Sequence, residues 1–348
     1  MWVIIMNKKN VSMQLIAQKV GVSKVTVSKV INNQPGVSED VRKKVLEIVK
    51  SLGYSIERKD RSPSTRKFAF LIPKRYFFEN ENFYSSIFYY LNKECMANDL
   101  TLTMFVINSE EERNLIISPL LNSNNFDGIF VSGEIEENYL HSLLNLKMPI
   151  VLIDFYKPDI ELDCVLVDNF FVSYTATMYL IQNGHRKIGF VGNTEQASSI
   201  ADRFFGYQKA LWQNNLEYKK EWHIVNNDPV MGFYSMDFPL PLDMPTAYLC
   251  YCDMAAYFLI KKIESIGLKV PDDVSIISFD NTEISQTSIP MLTTIDINKK
   301  TFAAKAFELM KHRISNRNAP FQRVIISTKM IKRDSVKKFG STINFVVP

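Results

Sequence analysis

Gly21-Val-Ser-Lys-Val-Thr-Val-Ser-Lys-Val-Ile-Asn32 is the stretch on which the fold reading turns. Gly21 breaks a preceding helix, as a tight inter-helix turn requires. Val22 packs in that turn, and Ser23 caps the next helix, from Lys24 to about Asn32. Val27, Val30 and Ile31 follow the i, i+3, i+4 spacing of a buried face. Lys24, Val25, Ser28, Lys29 and Asn32 are left facing outward. Upstream, Ser12 caps a helix from Met13 to about Val20. Downstream, Asn33-Gln-Pro-Gly36 is turn chemistry. Ser38 then caps a third helix with Val41, Val45, Ile48 and Leu52 on one stripe, closed by Gly53. Three short helices with a small core and one outward basic helix make a head suited to the DNA major groove, where N-terminal side chains of a helix reach base edges. Lys24, Val25 and Lys29 are the candidate base readers. Ser12, Thr26, Ser28, Asn32 and Ser38 are short polar groups suited to phosphates, although Ser12 and Ser38 also serve as caps.

Charge supports this division. Residues 1–67 hold 14 Lys/Arg against 5 Asp/Glu, whereas the rest of the chain holds 27 against 32. A basic head on a mildly acidic body points to a polyanionic partner. The apolar fraction of 46% in 348 residues rules out wholesale disorder and leaves room for two or three domains. Four cysteines, Cys95, Cys164, Cys250 and Cys252, are too few for a disulfide framework in so long a chain, so a reducing, cytoplasmic setting is expected. No cofactor, metal set or membrane segment is expected: the run Trp2–Met6 is too short to span. Met6 reads as a natural start, with residues 1–5 an extension.

The quoted stretch, together with Val11-Ser-Met-Gln-Leu-Ile-Ala17, Val37-Ser38 and Lys50-Ser-Leu-Gly-Tyr54, resembles the head of the lactose/galactose-repressor (LacI/GalR) family. The resemblance places that family's base readers on Lys24, Val25 and Lys29. Lys29 stands where the family usually has Arg, so a forked guanine contact becomes a point contact. Leu15 replaces the usual acidic residue, so Ser12 lacks its capping-box partner. The segment Ser55–Lys67 is shorter than the family's hinge, and Pro63 sits near the expected minor-groove Leu. It is expected to be a basic linker, with Arg58 and Arg61 able to hold phosphates.

From Phe68 onward, short apolar strands alternate with helices: Phe68–Ile72, Phe83–Met96, Thr101–Ile107, Glu110–Leu121, Gly128–Val131, Tyr139–Leu146 and Ile150–Ile153. A second series follows: Ser173–Asn183, Lys187–Val191, Arg203–Asn214, Ala247–Cys252, Met254–Ile266 and Val274–Ser278. Repeated βα units predict two doubly wound parallel sheets, and so two lobes with a ligand cleft beyond the strands' carboxyl ends. Asp154, Asp253 and Asp280 sit at such ends, and Arg203 opens a helix after the turn 194–202. Carboxylates with one Arg suit a polyhydroxylated ligand. The aromatic pairs Phe83-Tyr84, Phe155-Tyr156 and Phe233-Tyr234 are candidates to cover sugar faces. An isolated Asp after a strand is as readily a helix cap, and Asp253 is balanced between the two roles.

The body resembles the same family through Val151-Leu-Ile-Asp154, Val167-Asp-Asn169, Gly184–Gly189, Arg203–Tyr207, Pro245-Thr-Ala247, Val270–Asp280 and Pro290–Thr294. The resemblance implies an all-α helix-turn-helix head (6–54), a hinge (55–67) and a periplasmic-binding-protein-like α/β effector domain (68–338). Its first lobe takes 68–166 and 297–321, and its second takes 167–296 and 322–338. It also implies effector contacts at Asp154, Ser199, Arg203 and Asp280, a homodimer, and a pseudo-palindromic double-stranded DNA operator. Cys252 replaces a cleft Asn, and the Pro-rich segment 226–244 replaces a helix, so that wall of the pocket departs from the family. The expected function is a repressor of carbohydrate-metabolism genes controlled by a sugar-like effector. The alternatives are a partner protein as effector, or a carbohydrate-processing enzyme using Asp154 and Asp280 as acid and base. No nucleophile elbow or phosphate-cradling loop supports the enzyme.

Overall fold

A computed structural model describes residues 12–31, 36–52, 66–77, 83–122, 125–228 and 232–339. Asn32, Arg58, Arg61, Pro63 and the start-site question at residues 1–5 lie outside the described residues. The chain divides into two compact units, 1–63 and 64–348.

In the first unit, α1 (Met13–Val20), α2 (Lys24–Ile31) and α3 (Glu39–Ser51) enclose Ile16, Ala17, Val27, Val30 and Val45. Local chemistry sets each boundary. The Ser12 hydroxyl accepts from Leu15 N at 3.3 Å. Gly21 closes α1 at φ 76°, a region that costs glycine little, and its N–H donates to Ala17 O. The Ser23 hydroxyl accepts from Thr26 N at 3.0 Å and opens α2.

The second unit carries two six-stranded sheets. Strands β1 (Lys67–Pro73), β2 (Thr101–Ile107), β3 (Gly128–Ser132), β4 (Ile150–Ile153), β5 (Asp163–Val167) and β11 (Arg323–Ile326) form the first, in the order β11-β5-β4-β3-β1-β2 and parallel throughout. The second contains β6 (Ile188–Val191), β7 (His223–Ile224), β8 (Ala247–Cys250), β9 (Ser275–Asp280), β10 (Thr293–Ile297) and β12 (Thr328–Ile331). Its order is β12-β10-β9-β8-β6-β7, with only the β10–β12 pair antiparallel. The chain passes between the sheets after β5, after β10 and between β11 and β12. Because β11 pairs with β5 (Arg323↔Cys164), the last passage falls at Ser327, several residues beyond the lobe boundary expected after 321.

Several expected elements are corrected. The helix read over 110–121 splits into α5 (Ser109–Arg113) and α6 (Pro119–Asn122): Leu115 takes φ 57°, and Pro119 disfavours helical backbone just before it. Strand β8 ends at Cys250, two residues early, and α10 (Asp253–Ser265) starts with Asp253. Helix α9 (Ser198–Gln213) begins five residues before Arg203, so Ser199 and Arg203 share one helix. Helices α7 (Glu137–Leu144) and α8 (Asn169–Gln182) begin two and four residues before the expected starts at Tyr139 and Ser173, and strands β5, β7, β10, β11 and β12 and helices α11 (Glu283–Thr287) and α12 (Lys299–Ser315) lie outside the expected elements. The expected helix Phe83–Met96 (α4) and strand Thr101–Ile107 have the predicted bounds.

Candidate DNA interface and effector cleft

On α2, Val27 and Val30 are buried, while Lys24 is exposed and Val25 is 65% exposed. A valine this open on a small domain is available for contact with a partner. Lys29 and Ser28 are half-buried on the same helix, which carries no acidic residue. Thr26 sits in the cap of α2, its hydroxyl 2.9 Å from that of Ser23. Ser38 is exposed just before α3, and its carbonyl accepts from Arg42 N. The head therefore presents Lys24, Val25 and Lys29 from one short helix, flanked by capping hydroxyls.

In the larger unit, a cavity of about 610 Å³, its mouth included, lies beyond the strand ends. Phe83, Tyr84, Asp154, Ser199, Arg203 and Asp280 all line it. Asp154 follows β4 from the first lobe, and Asp280 ends β9 in the second, so the two carboxylates approach one space from opposite lobes. Tyr84 Oη donates to Asp154 Oδ2 at 2.9 Å, while Oδ1 is buried with no partner among the described residues. Arg203 is buried. Its Nε donates to Asn169 Oδ1 at 2.8 Å, one terminal nitrogen donates to Tyr251 O, and its guanidinium lies 4.3 Å from the Phe279 ring centre. Those contacts fix the fork and leave Nη2 and the second N–H of Nη1 as its remaining donors.

Asp253 is not in this cavity. Its carboxylate accepts from Ser278 Oγ at 2.5 Å, Thr294 Oγ1 at 2.6 Å, and Thr282 N and Oγ1 at 2.6 and 2.9 Å. As the first residue of α10 it turns toward the ends of β9 and β10 instead of outward. The cap of α10 is Cys252, whose sulfur accepts from Ala255 N and lies 3.1 Å from Tyr234 Oη. Of the aromatic candidates, Tyr234 lines the cavity and stacks on Phe258, Phe155 is buried in the first lobe's core, and Phe233 is exposed. Arg75, Tyr76 and Asn227 also line the cavity and escaped the sequence reading. The rule that ligands sit beyond strand ends would have flagged Arg75 and Tyr76, which follow β1 directly. Asn227 and Tyr234 come from the Pro-rich segment and face each other across an isolated antiparallel bridge.

The lobes also touch across the cleft. Helix α9 has no cap from its own neighbour Ala197. Instead Glu134, from the first lobe, accepts from Ser198 N at 2.6 Å and pairs with Lys157 at 2.6 Å. Tyr76 Oη donates to Gln196 O at 3.3 Å.

Burial pushes the Asp154 carboxyl up to about 6, against partial relief from Arg203 and Tyr84. A carboxyl raised on folding favours the native state below its unfolded pKa, and that contribution is lost as pH climbs through the folded value. Asp154→Asn is therefore expected to gain stability over wild type progressively between about pH 4 and 6, levelling at no more than about 3 kcal/mol. Urea titrations at several pH values read this, and a difference independent of pH refutes it.

Among known proteins, "Bacterial regulatory proteins, lacI family" matches residues 5–56 and a "Periplasmic binding protein-like domain" matches residues 177–336. The HTH-type transcriptional repressor PurR of Mannheimia succiniciproducens is 30% identical over 334 residues, covering 93% of this chain and 98% of that one. The chain belongs to the lacI family. It is a DNA-binding transcriptional repressor of that type, and its relatives are regulators, not enzymes. Two solved structures share the fold. The transcriptional regulator CelR–cellobiose complex has TM-score 0.67 and 21% identity, covering 93% of this chain and 99% of that one. The lac repressor dimer bound to operator and the anti-inducer ONPF has TM-score 0.63 and 19% identity, covering 94% and 100%. In this lacI-family chain, no helix among the described residues is long and apolar enough to cross a membrane.

Proposed function

We propose that this repressor acts as a homodimer on a pseudo-palindromic operator and is controlled by a sugar-like effector bound between its lobes. The observation that carries the effector reading is the placement of Asp154 and Asp280 on opposite lobes around one cavity that also holds Arg203. Carboxylates accept hydroxyl bonds, and the Arg fork donates in a fixed plane, so a polyol can bridge the lobes. Tyr84 and Tyr234 add ring faces and hydroxyls. A relative solved with cellobiose, and an Enterococcus faecium lacI-family regulator solved with bound ribose, support a carbohydrate. Genes of carbohydrate metabolism are the corresponding targets, in the cytoplasm where the DNA lies. Such a ligand shifts operator affinity only through different affinities for the two lobe arrangements.

On the DNA side, α2 enters the major groove, with half-sites ~34–36 Å apart or a multiple of that. Lys24 and Lys29 donate to guanine edges and Val25 meets a thymine methyl. Ser12, Thr26, Ser28 and Ser38 flank the phosphates, as does Asn32. Selection from a random duplex pool should return one preferred motif. Lys24→Ala, Val25→Ala and Lys29→Ala should each weaken binding to that motif by about 1–3 kcal/mol, roughly 5- to 150-fold. An equal loss on unrelated duplex would assign these residues to the backbone alone. Calorimetry against a panel of sugars, read with and without Asp280→Asn, tests the effector. Silence across the panel overturns the carbohydrate reading.

A further inference from the structure

We infer that Glu134 is a positioning residue for effector binding: it latches the first lobe onto the start of α9, the helix that carries Ser199 and Arg203 into the cleft. Its effect on ligand affinity rests on the effector reading above, whereas the latch is a property of the protein alone. Glu134 follows β3 in the first lobe and does not itself line the cavity.

The start of α9 is the first argument. Ala197 precedes the helix and offers no side-chain acceptor, and the first turn holds no acidic residue. Alanine is a poor cap, so the local sequence leaves the leading N–H groups in want of an acceptor. The acceptor comes from the other lobe, where Glu134 Oε2 takes the Ser198 N–H at 2.6 Å. A carboxylate in this place gains a charge-assisted bond and faces the positive end of the helix dipole. The lobes cannot part here without breaking that contact and stripping α9 of its cap. Tyr76 and Tyr156, also from the first lobe, reach the same end of the helix, through Gln196 O at 3.3 Å and the Asp202 carboxylate at 3.5 Å.

The support behind Glu134 is the second argument. Its Oε1 pairs with Lys157 at 2.6 Å, and both side chains are only 15% exposed, so solvent screens the pair little. Its carbonyl accepts from Arg75 Nη2 at 2.5 Å. Arg75 in turn makes two bonds to Glu112, at 2.5 and 3.2 Å, and the buried Glu112 also accepts from Glu136 N at 2.7 Å. Gly133 takes φ 75°, and a Cβ there would sit 2.7 Å from the Tyr76 ring, so that ring packs directly on the backbone that presents Glu134. A carboxylate in chance contact would not be held at both its side chain and its backbone. The latch thereby keeps Asp154, which arrives with the first lobe, opposite Ser199 and Arg203, which arrive with α9 on the second. A polyol bridging these groups binds the latched arrangement best, so its apparent affinity follows the fraction of molecules latched.

Dipolar spectroscopy on the full-length protein reads the latch without ligand. Spin labels at Asn138→Cys on α7 and Gln213→Cys on α9, both exposed, report the separation of the lobes, with labelled chains diluted into excess unlabelled chain. The native cysteines are buried. Glu134→Ala is expected to lengthen or broaden the distance between labels and to regain the wild-type distance at saturating sugar. In calorimetry with ribose, glucose and cellobiose it is expected to weaken the tightest of them by about fivefold or more. Glu134→Gln/Lys157→Met keeps an acceptor for the Ser198 N–H without stranding the lysine. It is expected to hold the wild-type distance and to stay within about twofold of wild-type affinity. An unchanged distance in Glu134→Ala overturns the proposal, whatever happens to affinity or melting temperature. So does a double variant that opens as far as Glu134→Ala, because the Ser198 bond would then not be what holds the lobes. Silence of the wild type toward every sugar fails the effector reading, and the ligand-free distances still decide the latch.

Discussion

Asp163→Ala is expected to destabilise the effector domain by about 3–5 kcal/mol, with the loss read as a lower urea midpoint at unchanged slope. Asp163 opens β5 and is fully buried. Its carboxylate receives a two-pronged contact from Arg313 of α12, Nε at 2.6 Å and Nη2 at 3.1 Å, and accepts from Gln322 N at 2.9 Å. Arg313 in turn donates to the carbonyls of Arg317, Ala319 and Pro320, so one guanidinium shapes the turn between α12 and β11. Removing the carboxylate strands a buried cation, which costs more than the pair itself contributes. The double variant Asp163→Ala/Arg313→Met removes the stranded charge and should recover at least half of the loss. A single-variant loss under about 1 kcal/mol would show that Arg313 is held by the turn carbonyls alone.

The contrast between Asp163 and the head shows what a sequence displays. Ser12, Gly21 and Ser23 set helix ends through contacts three or four residues away, so the boundaries of α1 and the start of α2 are legible from local chemistry. Asp154 and Asp280 are legible for a different reason: both directly follow or end apolar strands, and the carboxyl ends of parallel strands face the cleft. The start of α9 is not legible. Its cap comes from Glu134, 64 residues earlier and on the other lobe, while the local string Thr194–Asp202 reads as a turn. Asp163 and Arg313 are likewise 150 residues apart, and nothing near either one announces the pair. Arg75 and Tyr76 sit in a short charged and aromatic run that shows no periodicity of its own. The hinge readings at Arg58 and Arg61 fall outside the described residues.

The sequence leaves Asp253 balanced between a cleft contact and a helix cap, and its replacement separates a structural role from a ligand contact. The end of β8 at Cys250 puts Asp253 in the first turn of α10, only 1% exposed. Asp253→Ala leaves the Thr282 N–H and the hydroxyls of Ser278, Thr282 and Thr294 without their acceptor. Each buried donor left unmet costs about 1–3 kcal/mol, and the hydroxyls can rotate to recover part of it, so a total near 3–5 kcal/mol is expected. Asp253→Asn should cost less, about 1–2 kcal/mol, because its carbonyl oxygen still serves Thr282 while its amide donates to hydroxyls that also accept. Both variants act where β9 delivers Asp280 to the cavity, so effector affinity should fall in step with stability, more in Ala than in Asn. A direct ligand contact predicts a different outcome: Asn would lose effector affinity sharply while its urea midpoint stayed at the wild-type value. Denaturation and effector titration on the same two preparations decide between them, and a stable, effector-blind Asp253→Asn would return this carboxylate to the cleft.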